Sequence, residues 1–370
     1  MDRNRVTAIS VSTITDFAAL ETRWRDLETR SNPSFFQSWT WTGCLAAERF
    51  PDPVLVEARE DDGRTVALAL FNRRGRTLYL GESGDPARDC VYVEFNGVLA
   101  ETGREVELNA ACLRAARKDA GQKGIPRRLV LSGMNIEAIV SIMNTNYIHH
   151  LKSLNSPFIV FEDKKKCFLD GCSANTRQQL RRSDRDYAER GPIRLERAET
   201  VERAHAFLAS LEALHQVSWK ARGQPGAFAA PFFARFHRAL IARGWPRGEI
   251  DLFHVAAGAH TIGFLYNFHH GGRSLAYQSG FDYAGAGRQG KPGMSCHHQA
   301  ILFTRDRGGK GYEFLAGDDR YKRSLSNGTR TLHWIEVDEW YSPRVLVRRG
   351  RDFVLRHMRG MRAAREKTIA

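Results

Sequence analysis

Residues 249–282, EIDLFHVAAGAHTIGFLYNFHHGGRSLAYQSGFD, decide the fold of this 370-residue chain. The stretch contains three runs rich in β-branched and aromatic residues: 249–257, 261–270 and 273–282. Only Gly258-Ala259-His260 and Gly271-Gly272 separate these runs, and connections this short join neighbouring antiparallel strands. The stretch therefore predicts an antiparallel meander of three strands.

Helices are expected on the N-terminal side of the meander. Residues 173–190 open with Ser173, a good N-cap, and stop at Gly191-Pro192, a pattern that ends helices. Apolar spacing and glycine stops predict a strand and two further helices, at 193–198, 199–222 and 231–244.

On the C-terminal side, the glycine-rich loop AGAGRQGKPG (284–293) leads into another helix. The predicted elements are a helix at 294–307, a strand at 312–317, a short helix, and a last strand at 331–337. The full order is strand, helix, helix, three antiparallel strands, helix, strand, short helix, strand. This order predicts an α/β fold with a mixed, mostly antiparallel sheet.

The first half repeats that order loosely. Its predicted elements are the strand VTAISVS, helices at 16–30 and from Ser38, strands near 53–58, 65–71 and 76–80, a helix at 102–120, and the strand RRLVLSG. Thr102 and Glu105 are spaced as a capping box for the last of these helices. We therefore predict two similar domains, residues 1–165 and 166–342, followed by a basic C-terminal helix or tail, residues 343–370.

Composition narrows the class of protein. With 42% hydrophobic and 26% charged residues the chain can bury a core, which argues against disorder. No run approaches the roughly 18 to 20 apolar residues of a membrane span, and the start lacks the apolar region of a signal peptide. A cytoplasmic location is expected. The six cysteines form no CxxC pair and no zinc-type array, so we expect reduced thiols and no metal site.

The net charge of +14 suits contact with phosphate, an acidic carrier protein or nucleic acid. Arginine supplies 45 of the 56 cations, and a bias in genome composition can also produce such an excess. Residues 344–370 hold nine cations and two acids, which is half of the net charge. This tail is expected to be a solvated basic helix or a contact for phosphate or a membrane surface.

Several segments together resemble the GNAT superfamily of N-acetyltransferases. The resemblance rests on TRQQLRRSDRDYAERG (176–191), GAFAAPFFARFHRAL (226–240), IGFLYNF (262–268), YQSGFD (277–282), FLAGDDRYKRSL (314–325) and FFQSWTW (35–41). These segments are similar to the acetyltransferase family that includes CelD-type proteins of bacterial polysaccharide loci, distant relatives of the Fem aminoacyl transferases. The resemblance implies a GNAT fold, two tandem GNAT-like domains, and a sheet that opens between its fourth and fifth strands to hold an acyl thioester.

The resemblance implies an N- or O-acyltransferase. The donor would be acyl-CoA or an acyl carrier protein thioester, and the acceptor an amine or hydroxyl of a small metabolite or glycan precursor. Two other functions stay open: a Fem-like transferase that uses aminoacyl-tRNA, and a non-catalytic binding module on a degenerate GNAT scaffold.

The segment after the predicted fifth strand carries the main catalytic candidates. GNAT enzymes often place a tyrosine there that protonates the departing sulfur, so Tyr321 is the expected general acid. Lys322 could stabilise a tetrahedral oxyanion or hold a phosphate, or form a salt bridge with Asp318 or Asp319. Asp318 is a candidate base, with an ordinary N-cap as the alternative.

Three further residues are considered for proton transfer. Asp282 ends the fourth strand of the second half and is as ambiguous as Asp318. His297 and His298 follow the glycine-rich loop, and either could act as a base near neutral pH, although only one of them can face inward. His298 is kept as the candidate.

The loop before the predicted helix at 294–307 is the expected donor site. Backbone N–H groups at a helix N-terminus suit a pyrophosphate, and Gly290-Lys291-Pro292-Gly293 adds flexible backbone and one cation. The candidate donor-binding residues are Gly290, Lys291, Gly293, Met294 and Ser295. A glycine-rich loop that merely connects two elements is the alternative, and only GRQGKPG stands where ordinary acetyltransferases have an RxxGxG/A loop.

The remaining candidates would bind the acceptor. Arg177 and Arg181 lie on one stripe of their helix, which predicts either a solvated face or contact with an anionic substrate. His215 and Trp219 lie four residues apart on a long helix and are expected to face the acceptor, although a histidine beside core leucines can also be structural. Gln278, on the third strand of the meander, completes the candidates.

Overall fold

The computed structural model describes residues 6–121, 128–143, 147–161, 168–317, 319–338 and 342–351. Asp318 and the tail from residue 352 onward lie outside the described residues. No helix within these ranges has the length and apolar character needed to cross a membrane.

The first half supplies seven strands and four helices of the described chain. They are β1 (Val6–Thr13), α1 (Phe17–Thr29), α2 (Trp39–Arg49), β2 (Pro53–Glu60), β3 (Thr65–Arg74), β4 (Thr77–Leu80), β5 (Leu99–Ala100), α3 (Glu105–Gly121), β6 (Arg128–Met134), α4 (Ile136–Met143) and β7 (Tyr147–Val160). The predicted capping box at Thr102 is wrong. Gly103 takes a left-handed φ of 85°, and the helix begins only at Glu105.

The second half follows the predicted order. Its elements are α5 (Ala174–Ala188), β8 (Ile193–Arg197), α6 (Val201–Ala221), α7 (Pro231–Gly244), β9 (Ile250–Ala257), β10 (His260–His270), β11 (Arg273–Phe281), α8 (Pro292–Asp306), β12 (Gly311–Glu313), α9 (Arg320–Leu325) and β13 (Gly328–Asp338). A helix at 343–351 ends the described chain. The Ser173 hydroxyl caps α5 by accepting the Thr176 N–H at 3.1 Å, as the sequence predicted.

The two halves share one mixed sheet. Its order is β1-β2-β3-β4-β6-β13-β7-β12-β11-β10-β9-β8, and β5 pairs with β3. Among the strands of the described residues, only two pairs are parallel, β4 with β6 and β11 with β12, and they occupy matching places in the two halves. The repeated order of elements is therefore also a repeated topology.

The halves exchange a strand at the centre of the sheet. β13, the last strand of the chain, pairs antiparallel with β6 of the first half. β7, from the first half, pairs antiparallel with β12 of the second half. β7 and β13 then pair with each other along 11 positions, so the exchange joins two sheets into one.

A common hydrophobic core strengthens this connection. Helices α1 and α2 pack into the same cluster of buried side chains as α6 and α7. The rings of Phe35 and Phe268 stack at 4.1 Å between centroids, and Trp41 meets Phe236 edge-on at 5.4 Å. Because aromatic side chains bury large apolar areas, these contacts hold the two halves in one fixed arrangement.

Candidate active site

The sheet opens where β11 and β12 part. The two strands pair at only three positions, from Arg273 with Gly311 to Leu275 with Glu313. Beyond them β11 continues to Phe281, whereas the chain after Glu313 turns away through Leu315, whose φ is +58°. The predicted strand at 312–317 is therefore cut short, and the opening expected from the GNAT resemblance is present.

A β-bulge in β11 lies beside this opening. Gln278 pairs with Tyr266 and Ala276 pairs with Asn267, so Tyr277 is an extra residue without a partner in the register. A bulge bends its strand and changes the direction in which nearby groups point. It therefore helps to separate β11 from the chain after β12.

A cavity of about 370 Å³, here called the central cavity, occupies the opening. Both halves line it: Glu94 and Lys152 come from the first half, and Tyr321 and Lys322 from the second. The predicted acceptor residues His215, Trp219 and Gln278 also line it.

A second cavity of about 330 Å³, here called the loop cavity, lies between α5 and the start of α8. Its lining includes Gln179 of α5 and four of the predicted donor residues, which are Gly290, Lys291, Gly293 and Met294. Tyr321, Tyr283 and Asp319 line both cavities. The two cavities therefore meet at the side chain of Tyr321.

Tyr321 is held between the two cavities by an aromatic contact. Its ring stacks on that of His297, with 5.2 Å between centroids and 19° between planes. Burial raises the pKa of the Tyr321 hydroxyl well above its ordinary value. The hydroxyl is therefore protonated at neutral pH and can give its proton to a stronger base.

Glu94 is a candidate site residue that the sequence interpretation missed. Its carboxylate, 6% exposed, accepts the Ala316 N–H through Oε2 at 2.7 Å. Burial raises the pKa of the Glu94 carboxyl from its ordinary 4.5 to about 7. A carboxyl group with this pKa is suited to accept a proton near neutral pH. No local sequence pattern marks Glu94, because it reaches the cavity only through the joining of the two halves.

Lys322 binds the carbonyl of the same residue, Ala316. Its Nζ donates to the Ala316 carbonyl at 3.1 Å and lies 3.9 Å from Asp319 Oδ2. Burial lowers the pKa of the Lys322 ammonium, although the Glu94 and Asp319 carboxylates act in the opposite direction. Ala316 thus binds a buried acid through its N–H and a buried cation through its carbonyl, at one edge of the opening.

His297, rather than His298, lines the central cavity. Burial lowers the pKa of His297 to about 3, so its ring is neutral at pH 7. Asn267 Nδ2 donates to the Tyr312 hydroxyl at 3.2 Å, which leaves that hydroxyl free to donate to His297 Nδ1 at 2.8 Å. The proton of His297 is then on Nε2, which has no hydrogen-bond partner among the described residues.

Two cations at the central cavity rest on aromatic rings. Lys152 Nζ lies 4.4 Å from the ring centroid of Trp334. The Arg222 guanidinium carbon lies 5.8 Å from the Trp219 ring centroid and 5.6 Å from that of Tyr283. Among the described residues, no carboxylate lies within ion-pair distance of either cation, so both are available to an anionic group of a ligand.

His215 lines the cavity, but its hydrogen bonds are structural. Nδ1 lies 3.1 Å from the Ser279 carbonyl, and Nε2 accepts the Ala227 N–H at 3.3 Å. These bonds require a neutral ring with its proton on Nδ1. Burial lowers the pKa of His215, which is consistent with this neutral form.

The start of α8 has the features of an anion site. The first bond inside the helix runs from the Ser295 N–H to the Lys291 carbonyl at 3.1 Å. The N–H groups of Gly293 and Met294 therefore lack acceptors within the helix. Lys291 Nζ donates at 2.6 Å to Gln179 Oε1, an uncharged amide, so its positive charge is not neutralised there.

Several predicted site residues lie elsewhere. The Ser295 hydroxyl is buried and donates to Asp184 Oδ1 at 2.6 Å, and His298 Nδ1 lies 3.2 Å from the other oxygen of that carboxylate. Asp282 accepts the Gly285 N–H at 2.8 Å and so stabilises a turn. None of these three side chains is brought to the meeting point of the cavities, because each serves local packing instead.

The predicted arginine stripe also lies outside both cavities. Arg177 donates to the Cys172 carbonyl at 2.5 Å, before the start of α5, and Arg181 is exposed. Gln179, on another face of the same helix, is the side chain that reaches the loop cavity. Asp318, the predicted base, lies outside the described residues.

A third cavity, of about 400 Å³, lies on the other side of the segment that carries Glu94. Its two arginines are engaged: Arg273 and Arg330 both bind the buried Glu313 carboxylate, at 2.9 and 3.0 Å. Tyr321 and Lys322 do not line this cavity. Although it is slightly larger, it lacks the proton-transfer groups found around Tyr321.

Comparison with known proteins agrees with this geometry. Residues 174–323 match the family model described as an acetyltransferase (GNAT) domain. No protein of curated function matches the sequence.

Solved structures share the fold at low sequence identity. The crystal structure of FemX is similar with a TM-score of 0.58 and 12% identity over 89% of this chain and 96% of FemX. The C-terminal domain of a lysylphosphatidylglycerol synthetase from Agrobacterium fabrum, described as putative, gives 0.54 and 12% over 87% of this chain and 92% of the domain. L-PGS from Bacillus licheniformis gives 0.53 and 11% over 88% of this chain and 94% of that one.

These likenesses extend over most of the chain, whereas the family match is confined to its second half. The parted strands, the loop before α8 and Tyr321 all fall inside the matched region. Residues 174–323 therefore match an acetyltransferase domain of the GNAT type, and this match supports an N-acyltransferase activity on a chain with the GNAT fold.

Proposed function

We propose that the chain transfers an acyl group from a thioester donor to an amine acceptor by direct attack. The donor enters through the loop cavity and the acceptor through the central cavity. The observation that carries this proposal is that the two cavities meet at Tyr321, beside the parted strands. A thioester lying between β11 and the chain after β12 would present its carbonyl carbon at that meeting point.

The donor proposed is acyl-CoA or the phosphopantetheine thioester of an acyl carrier protein. Both carry phosphate, which suits the free N–H groups of Gly293 and Met294 and the Lys291 cation. Gly290 permits close approach of a phosphate to the backbone, since glycine has no side chain to obstruct it. These residues would hold the donor by its phosphates and leave the thioester free to reach Tyr321.

Glu94 is the proposed general base. The acceptor amine must lose a proton as its nitrogen bonds to the thioester carbon, and Glu94 can take that proton near neutral pH because its pKa is about 7. The positive charges of Lys152, Arg222 and Lys322 also oppose an ammonium form of the acceptor in this cavity.

Tyr321 is the proposed general acid. As the carbon–sulfur bond breaks, the electron pair stays on sulfur, and the Tyr321 hydroxyl protonates the departing thiolate. Lys322, at the edge of the opening, would stabilise the negative charge that develops on the carbonyl oxygen. The Nε2–H of His297, which has no partner among the described residues, is a second donor for that oxygen.

The same cations indicate the acceptor's character. Arg222 and Lys152 rest on aromatic rings instead of carboxylates, so they can bind a phosphate or carboxylate carried by the acceptor. We therefore propose an amine that bears its own negative charge, as in a metabolite or glycan precursor of the kind handled by CelD-type proteins. Acyl-CoA is a cytoplasmic donor, which places the proposed reaction in the cytoplasm.

A Fem-like transfer from aminoacyl-tRNA is the second candidate. The observation that favours it is the exposed row of Arg181 and Arg185 on α5, the helix whose opposite side carries Gln179 into the loop cavity. A polyanion longer than CoA could extend along this row, and its binding would weaken steeply as salt concentration rises.

Labelled donors separate the candidates. Purified full-length protein would be incubated with [¹⁴C]acetyl-CoA or with labelled aminoacyl-tRNA and a mixture of amine acceptors, and transfer of label would be measured. Consumption of acetyl-CoA supports the first proposal, and consumption of aminoacyl-tRNA supports the second. If neither donor is consumed and neither protects the protein against heat, the chain is a non-catalytic binding module.

A further inference from the structure

The helix at 343–351 is fixed to the sheet on one side. Val345 is fully buried, and its N–H donates to the Ser342 hydroxyl at 3.4 Å. Arg348 binds Glu336 of β13 with 2.8 Å between Nη2 and Oε2. These contacts determine which face of the helix is turned toward solvent.

The solvent-facing side combines apolar and basic residues. Leu346 is 56% exposed, and Val347, at 72%, is the most exposed large apolar side chain in the described part of the chain. Arg344 and Arg351 are exposed on the same helix, and the sequence has no acidic residue between 343 and 351. Two neighbouring aliphatic side chains in water carry a free-energy cost that a partner would remove.

The charge of the chain is concentrated here. Residues 344–370 hold nine cations and two acids, a net charge of +7, whereas the preceding 343 residues together account for the other +7. Lys152 and Arg222, which the proposed reaction uses, lie outside this segment. The proposed function therefore leaves the basic segment without a role.

We propose that the solvent-facing side of helix 343–351, here called the C-terminal surface, docks onto an anionic lipid bilayer. Exposed aliphatic residues next to arginines fit the boundary between headgroups and acyl chains, where each type of side chain finds its own environment. A nucleic acid would attract the arginines but would gain nothing from Leu346 and Val347. The combination of residues thus favours a membrane.

The position of the helix relates it to the central cavity. Glu336, which anchors Arg348, lies two residues from Trp334, a residue of the central cavity, or about 6–7 Å along β13. A docked helix would hold that cavity close to the membrane surface. The docking itself does not depend on the proposed acyl transfer, and binding alone can test it.

The test is co-sedimentation of the full chain with vesicles. One set contains phosphatidylcholine alone, and the other contains about one third phosphatidylglycerol. We expect binding to the anionic vesicles only, with weakening as salt is added. The double variant Leu346→Ser, Val347→Ser keeps the charge and should lower the partition constant at least about tenfold. The double variant Arg344→Gln, Arg351→Gln should lower it about 25-fold.

Matched controls carry the same changes at exposed positions elsewhere. Val217→Ser on α6 and the double variant Arg114→Gln, Lys118→Gln on α3 should bind as the natural chain does. Equal loss in these controls, or equal binding to both kinds of vesicle, would overturn the proposal. So would an absence of vesicle binding. Binding to an RNA or DNA duplex that Leu346→Ser, Val347→Ser leaves unchanged, without the expected loss on vesicles, would assign the surface to nucleic acid instead.

Discussion

At the scale of single residues, the proposed reaction depends most directly on Tyr321. Its side chain lines both cavities, and burial keeps its hydroxyl protonated. We predict that Tyr321→Phe lowers kcat by about 10²–10⁴-fold and leaves the Kd for the donor nearly unchanged, since the proton is needed only in the transition state. Steady-state kinetics and calorimetry with CoA would measure the two quantities. Unchanged turnover would remove Tyr321 from this role, and Tyr79→Phe, at a residue that lines neither cavity, is the control.

Glu94 makes a prediction about the pH dependence of activity. A base with a pKa of about 7 must be ionised to act, so kcat/KM should rise as pH increases through 7 and level off above it. Glu94→Gln preserves an acceptor for the Ala316 N–H but should lower the rate and remove this rise. A pH–rate profile of both forms would show it, and an identical rise in Glu94→Gln would assign the titration to another group.

The same carboxyl should reduce stability at high pH. Its pKa is higher in the folded chain than the ordinary 4.5, so its contribution to the free energy of unfolding is greatest below 4.5 and is lost as pH rises to about 7. Glu94→Gln should therefore exceed the natural chain in stability by roughly 3 kcal/mol at pH 8 and by much less at pH 4.5. Denaturant unfolding at both values tests this, and a difference independent of pH would contradict it.

The sequence predicted the positions of some site residues and not of others. Tyr321, Lys322 and Lys291 stand in local motifs that the GNAT resemblance covers, and the structure brings all three to the two cavities. Glu94 and Lys152 stand in no motif, and they reach the site through pairing between distant strands. Ser295 and His298 lie three residues apart on the face of α8 that meets Asp184 of α5, and which face of a helix meets a neighbour depends on tertiary packing.

At the scale of elements, the start of α8 is the proposed donor site. Lys291→Ala removes a cation that lines the loop cavity, and we predict about a tenfold rise in the Kd for CoA with little change in the folding transition. Lys220→Ala, an exposed change on α6 outside both cavities, is the matched control. Calorimetric titration would measure both variants, and an unaltered Kd in Lys291→Ala would count against the loop.

Most elements could be predicted because their signals are local. Apolar periodicity, caps and glycine stops indicated α5, α6, α7 and the meander. The early end of β12 could not be predicted from such local signals, because YEFLAG (312–317) has the composition of a strand throughout. What ends β12 is the left-handed backbone at Leu315, a conformation that leucine rarely adopts and that tertiary contacts impose.

At the scale of the whole molecule, strand exchange makes the halves depend on each other. β12 and β13 both pair with β7 of the first half, and α7 packs on α2 through Phe236 and Trp41. We predict that a fragment of residues 168–338 alone shows no cooperative unfolding transition, because a strand and a wall of its core are missing. Circular dichroism during heating would test this, and a cooperative fragment that binds CoA would contradict it.

The predicted domain boundaries at residues 165 and 342 follow the repeated order of elements along the chain. They do not divide the sheet in two, because β7 pairs with β12 of the second half and β13 pairs with β6 of the first. Sequence patterns show which segments form strands, whereas the partner of an end strand depends on the assembled sheet. The central cavity has walls from both halves for the same reason.

A crystal structure of the full chain with bound CoA tests the central claim most directly. The account predicts pantetheine between β11 and the chain after β12, phosphates at the N–H groups of Gly293 and Met294, and sulfur within hydrogen-bond reach of the Tyr321 hydroxyl. CoA bound with its sulfur remote from Tyr321, or bound in the cavity beside Arg273 and Arg330, would contradict it.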